Sequence, residues 1–102
     1  MIRHMVHLRF LPSVSPLQRQ TLFDALGALR GHLGGITGFH VTRNISPETA
    51  VTHGFDDLFW FDFTDAQARD TYLSDAAHQS VGAGLVAAVG GLDGLFVCDF
   101  DL

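Results

Sequence analysis

The chain has 102 residues, a formal charge of -5 with histidines neutral, 47% hydrophobic and 11% aromatic residues, and nine Phe among the aromatics. That length fits one domain, that composition excludes a disordered chain, and no apolar run approaches the roughly 18 residues of a membrane span. The scattered basic residues make no stripe for a phosphate backbone, and the single cysteine, Cys98, permits no intrachain disulfide and no CxxC metal site.

The first predicted element is a strand over residues 2–10, where Ile2, His4, Val6, Leu8 and Phe10 alternate with Arg3, Met5, His7 and Arg9. A strand here, in place of a charged and then apolar leader, predicts a cytoplasmic protein. Ser15 and Pro16 supply an N-cap and a first-turn proline, and Leu22, Leu26, Leu29 and Leu33 recur at helical spacing, predicting a helix from Pro16 to His32. A short second strand is expected over 39–44, followed by a polar loop.

The third strand is expected over 56–63, in DDLFWFDF. Thr64 and Gln67 have the spacing of a capping box for the next helix, which carries Tyr72, the chain's only tyrosine. Ser74 and Asp75 can end that helix and cap a second segment from Ala76. The glycines of SVGAGLVAAV speak against a long regular helix there. Gly90 and Gly91 lead into a fourth strand over 95–100. The order is βαββαβ, an α+β plan with an antiparallel sheet in one domain spanning 1–102.

Both faces of this sheet carry apolar residues. Strand three offers Phe59, Phe61 and Phe63 on one parity and Leu58 and Trp60 on the other. Strand four sets Leu95 and Val97 against Phe96, Cys98 and Phe100. Helices can cover only one set, so Leu58, Trp60, Phe96, Cys98 and Phe100 are expected to form an interface rather than scattered surface aromatics on a lone monomer.

With that order and the stretches IRHMVHLRF, GFDDLFWFDF, TYLSDAAHQ and VCDFDL, the chain resembles the stress-responsive dimeric α/β-barrel family over about residues 3–101. The resemblance implies a ferredoxin-like monomer whose sheet packs on that of a second copy to form a barrel in a homodimer. Family members range from stress-induced plant proteins to a polyketide cyclase that performs a cofactor-free aldol condensation. The cyclase's pocket Tyr and His match Tyr72 and His78, and its first-strand histidine matches His4. Departures accompany the match: where many relatives read His-Pro-x-His, this chain reads Asp75-Ala76-Ala77-His78, and Asp57 and Leu26 stand where the cyclase has a histidine and a tyrosine.

The expected cavity lies between helices and sheet, walled by His4, Val6, Leu8, Leu26, Asp57, Phe59, Phe61, Leu95 and Val97, with no metal and no cofactor. His78, in the first turn after a break, would be held neutral by the helix dipole and suited to act as a general base, with Tyr72 as hydrogen-bond donor. The alternative is that His78 caps backbone groups and Tyr72 packs half-buried. Asp57 is read either as a pocket residue or as a solvated strand end. Three functions remain open: a noncatalytic stress-responsive protein that binds a small apolar or carbonyl-containing molecule or acts only through its stable dimer, a cofactor-free cyclase or lyase, and a monooxygenase-like or haem-handling protein. Nucleic acid and membrane are not expected partners.

Overall fold

A computed structural model describes all residues from Met1 to Leu102. Four strands, β1 (Ile2–Leu8), β2 (Ile36–Arg43), β3 (Asp57–Phe63) and β4 (Leu95–Asp101), form one antiparallel sheet in the order β2-β3-β1-β4. Three helices, α1 (Pro16–Ala28), α2 (Ala66–Ser74) and α3 (Ala76–Ala88), lie in the connections, and short 3-10 turns follow α1 and precede β4.

Helix α1 starts where the sequence predicts. The Ser15 hydroxyl accepts from Gln18 N–H at 3.1 Å, and the Gln18 side chain accepts from Ser15 N–H at 2.7 Å. Two backbone donors that the helix leaves free are thereby satisfied. The next helix departs from expectation: Asp65, not Thr64, is the N-cap of α2, and its carboxylate accepts from Ala68 N–H at 2.9 Å. A carboxylate one residue later in the chain displaces the hydroxyl from that role.

Helix α3 is also longer and more regular than its glycines predict. The reason is packing against α1, which outweighs intrinsic propensity. A Cβ built at Gly84 would lie 3.2 Å from Leu22 Cδ2, so the missing side chain permits close approach of the two helices. Strand β1 is shorter than expected, because from Arg9 onward the chain leaves the β3 ladder and Leu11 N–H instead donates to the Ala88 carbonyl. Strand β2 begins earlier, at Ile36, pairing with Phe63 across a bulge before Gly38.

Register sorts the residues into two faces. Toward the helices lie the rows Val97–Val6–Phe59–Val41 and Asp99–His4–Phe61–Phe39. The core consists of Val6, Leu8, Phe23, Leu26, Leu29, Phe59, Phe61, Phe63, Tyr72, Leu85 and Val89, all buried. On the opposite face lie the rows Phe100–Arg3–Asp62, Cys98–Met5–Trp60–His40 and Phe96–His7–Leu58–Thr42. No helix covers that face. Phe96 and Phe100 are 55% and 47% exposed. Trp60 is held between His40, stacked at 4.9 Å, and the Arg3 guanidinium at 5.3 Å, while Arg3 pairs with Asp62 at 2.8 Å. No helix of the chain is long and apolar enough to cross a membrane.

Candidate functional site

A cavity of about 480 Å³ opens between the β1–β4 side of the sheet and helices α2 and α3. Its apolar walls include Val6, Phe59, Leu73, Leu85, Val86, Leu95 and Val97, and its polar groups are His4, Tyr72, His78 and Asp99. Strand β4 is a sheet edge that the helices only partly cover, which leaves Val97 52% exposed at the mouth.

The chain breaks its helix to bring the polar groups together. Asp75 ends α2 and caps α3 in an extended conformation, its carboxylate accepting from His78 N–H at 3.0 Å. His32 Nε2 meets the other carboxylate oxygen at 2.8 Å, tying the end of the α1 segment to the same hinge. The His78 backbone N–H is the largest cause holding the Asp75 carboxyl below its usual range, followed by His32. The backbone N–H of His78 is thus capped, and its imidazole is left for the cavity wall.

The Tyr72 and His78 rings lie 4.0 Å apart, and His4 meets the Tyr72 ring edge-on at 5.8 Å. Burial pushes the Tyr72 hydroxyl far above its usual range, so it remains a neutral donor. Burial also lowers the His78 pKa below its ordinary 6.5; the Leu73 backbone opposes this, and His4 adds a smaller push downward. His78 Nδ1 is enclosed and makes no hydrogen bond of full geometry, the Leu73 backbone being the one acceptor that acts on the ring. An unsatisfied buried polar atom carries a cost of about 1–3 kcal/mol unless a bound molecule meets it.

His4 is oriented from the neighbouring strand. Its Nδ1 lies 2.7 Å from Asp99 Oδ1, and because a carboxylate only accepts, that nitrogen carries the proton. The other Asp99 oxygen accepts from Arg69 Nη1 at 3.0 Å, and Arg69 Nε donates to Asp70 at 3.0 Å. The Cys98 thiol is pushed up, by burial first and Asp99 second, and stays protonated, unlike a reactive thiolate. No three His, Cys, Asp or Glu side chains are grouped as a metal site.

Several sequence-predicted wall residues lie elsewhere. Leu8 and Leu26 are fully buried in the core and do not line the cavity. Phe61 supports it from behind, packed against Tyr72 at 4.8 Å. Asp57 stands at the far end of the strand, opposite Leu8, flanked by Arg19 at 3.8 Å and Arg43 at 3.9 Å. It is buried and does not line this cavity, so it is neither a wall residue here nor a solvated strand end. Tyr72 is only 1% exposed, so the alternative of a half-buried ring does not hold: α2 lays the ring on Phe61 and Phe63. His4, Val6, Phe59, Leu95 and Val97 do line the cavity, together with Tyr72 and His78.

Sequence reasoning missed Asp99, Leu73, Gly82, Leu85 and Val86, and Cys98, expected on the opposite face, also borders the cavity. Asp99 was accessible to it, since it shares the parity of Leu95 and Val97 and so faces the cavity side. The α3 residues were hidden by doubt over the helix itself.

An antiparallel βαββαβ sheet with helices on one face defines a ferredoxin-like α+β protein. The chain belongs to the stress-responsive A/B barrel domain family, whose model matches residues 2–101. A dimeric ferredoxin-like protein of unknown function from Jannaschia sp. CCS1 is 28% identical, with a TM-score of 0.88 over 99% of this chain and 98% of that one. A protein from Arabidopsis thaliana is 22% identical at a TM-score of 0.85, covering 100% and 95%. A hydroxynitrile lyase from Passiflora edulis is 14% identical at a TM-score of 0.84, covering 99% and 92%. These last two likenesses are of fold alone. A search of curated proteins finds no match.

Proposed function

We propose that the protein binds a small, largely apolar carbonyl compound in the cavity and moves a proton on it without a cofactor, with His78 as base and Tyr72 as donor. The contact of the two rings at 4.0 Å inside an apolar cavity is the observation that carries this reading. A C–H bond next to the carbonyl breaks, its proton passes to a His78 nitrogen, and its electron pair moves onto the carbonyl oxygen. The Tyr72 hydroxyl stabilises that oxygen as charge develops. His78 suits the role because dehydration disfavours its protonated form, and Tyr72 because it stays neutral. Deuterium exchange next to the carbonyl of 4-phenylbutan-2-one, followed by NMR, tests the step. Exchange in the wild type that is lost in His78→Gln supports it; a bound ketone that never exchanges leaves a binding protein and overturns the proton transfer.

The second part of the reading is a homodimer closed by the face that bears Trp60, Phe96 and Phe100. Two of the similar structures, from Jannaschia sp. CCS1 and Thermobifida fusca, are described as dimeric. Exposed Phe96 and Phe100 beside Trp60 form the sort of patch that a two-fold contact covers, and a stable one buries about 1,200 Å² or more.

A further inference from the structure

We infer that the cavity accepts neutral carbonyl compounds and rejects carboxylates, because the one formally charged side chain on its wall is the acidic Asp99. This selectivity rests on the reading of the cavity as a small-molecule site. No arginine lines the cavity, and the chain contains no lysine. The nearest cation in the network is Arg69, which stands behind Asp99 and is engaged by Asp99 at 3.0 Å and Asp70 at 3.0 Å. His4 offers no unmatched charge either, since its Nδ1 is already on Asp99 at 2.7 Å. The remaining groups, Tyr72 and His78, are an uncharged donor and an imidazole held among apolar side chains.

An anionic ligand would therefore lose its hydration without gaining a free counter-ion, beside a carboxylate that already occupies Arg69, the nearest cation. The chain's net charge of -5 acts in the same direction at longer range. A ketone, aldehyde or ester of similar shape has no such cost, and its oxygen has the Tyr72 hydroxyl as partner.

Three probes of nearly one shape test this: 4-phenylbutan-2-one, 3-phenylpropanamide and 3-phenylpropanoate, compared by ligand-observed NMR and titration calorimetry near neutral pH. Wild-type protein should bind the ketone and the amide about tenfold or more tighter than the carboxylate. In Asp99→Asn the wall loses its negative charge and Arg69 loses a partner, so the ratio of ketone to carboxylate affinity should fall by most of that factor, whatever the change in ketone affinity itself. Equal wild-type binding of ketone and carboxylate overturns the selectivity and leaves the site reading intact. Rejection of the amide together with the carboxylate also overturns it, since polarity and not charge would be the cause, and that comparison needs no folded variant. An Asp99→Asn protein that keeps the full discrimination removes Asp99 as its source. Binding of none of the three overturns the cavity reading itself, and the selectivity with it.

Discussion

Tyr72 and His78 are six residues apart in the chain, yet their rings are 4.0 Å apart, because Asp75 interrupts the helix between them. On one continuous helix they would be separated by roughly 120° of arc. The extended Asp75 ends one helix and starts the next, and so turns His78 back toward the ring that precedes it. Replacing His78 by Gln keeps much of the size and hydrogen bonding but removes the titrating nitrogen. Ketone affinity should persist while deuterium exchange falls by about 10² or more.

The same histidine sets a pH dependence. Its folded-state pKa lies below the ordinary 6.5, so as pH falls below that value the unfolded chain takes up a proton before the folded one does. Stability should be level above pH 6.5 and decline below it, whereas exchange should hold below pH 6.5 and fail only as pH drops through the lower folded-state value; the decline in stability should be shallower in His78→Gln. Thermal melts across that window measure it. Asp75 contributes with the opposite chemistry and the same outcome: its lowered pKa gives stability above its unfolded value of 3.8 that is lost as pH falls through the folded one.

Asp75→Ala removes the cap of α3 and the partner of His32 together. The melting temperature should drop, and deuterium exchange should fall further than ketone affinity, because the orientation of His78 is lost before the apolar walls are. Asp75→Asn, which can still accept from His78 N–H, should restore much of the exchange. Equal loss in both variants would show that the carboxylate charge, and not the cap, is what holds the hinge.

Leu26 distinguishes core from cavity. The side chain is fully buried between α1 and the sheet, so Leu26→Ala should destabilise by about 2–5 kcal/mol in denaturant titrations with little change in ketone affinity. Loss of affinity at unchanged stability would put Leu26 back on the cavity wall.

The fold was legible because strand parity is a strong signal. Alternation in IRHMVHLRF and the two apolar parities of β3 and β4 gave the sheet and its two faces. The caps were legible where a residue has one plausible role, as at Ser15 and Asp75, and misread where Thr64 and Asp65 compete for one position. The cavity was less legible. Parity places Leu8 and Phe61 on the correct face, but depth along the strand decides between core and wall, and that depends on where α1, α2 and α3 cross the sheet. Asp57 shows the same limit: its face was readable, whereas its pairing with Arg19 and Arg43 depends on distant segments meeting. Helix α3 was obscured because glycine propensity is local and the close approach of Leu22 to Gly84 is not.

Trp60 tests the dimer. It lies mid-row on the uncovered face, stacked on His40 and beneath Arg3, with its indole nitrogen enclosed and without a partner in the single chain. Trp60→Glu would place a carboxylate within an apolar two-fold contact, and each copy would contribute one, so the cost is paired across the axis. Sedimentation of the wild type should give a dimer at micromolar concentration, and Trp60→Glu should give a folded monomer or a markedly less stable chain. Phe100→Ser, at the rim of the same face, should weaken association without unfolding, since its side chain is already 47% exposed in the monomer. A wild-type monomer at micromolar concentration would refute the interface, and a Trp60→Glu dimer of unchanged stability would move it to another face.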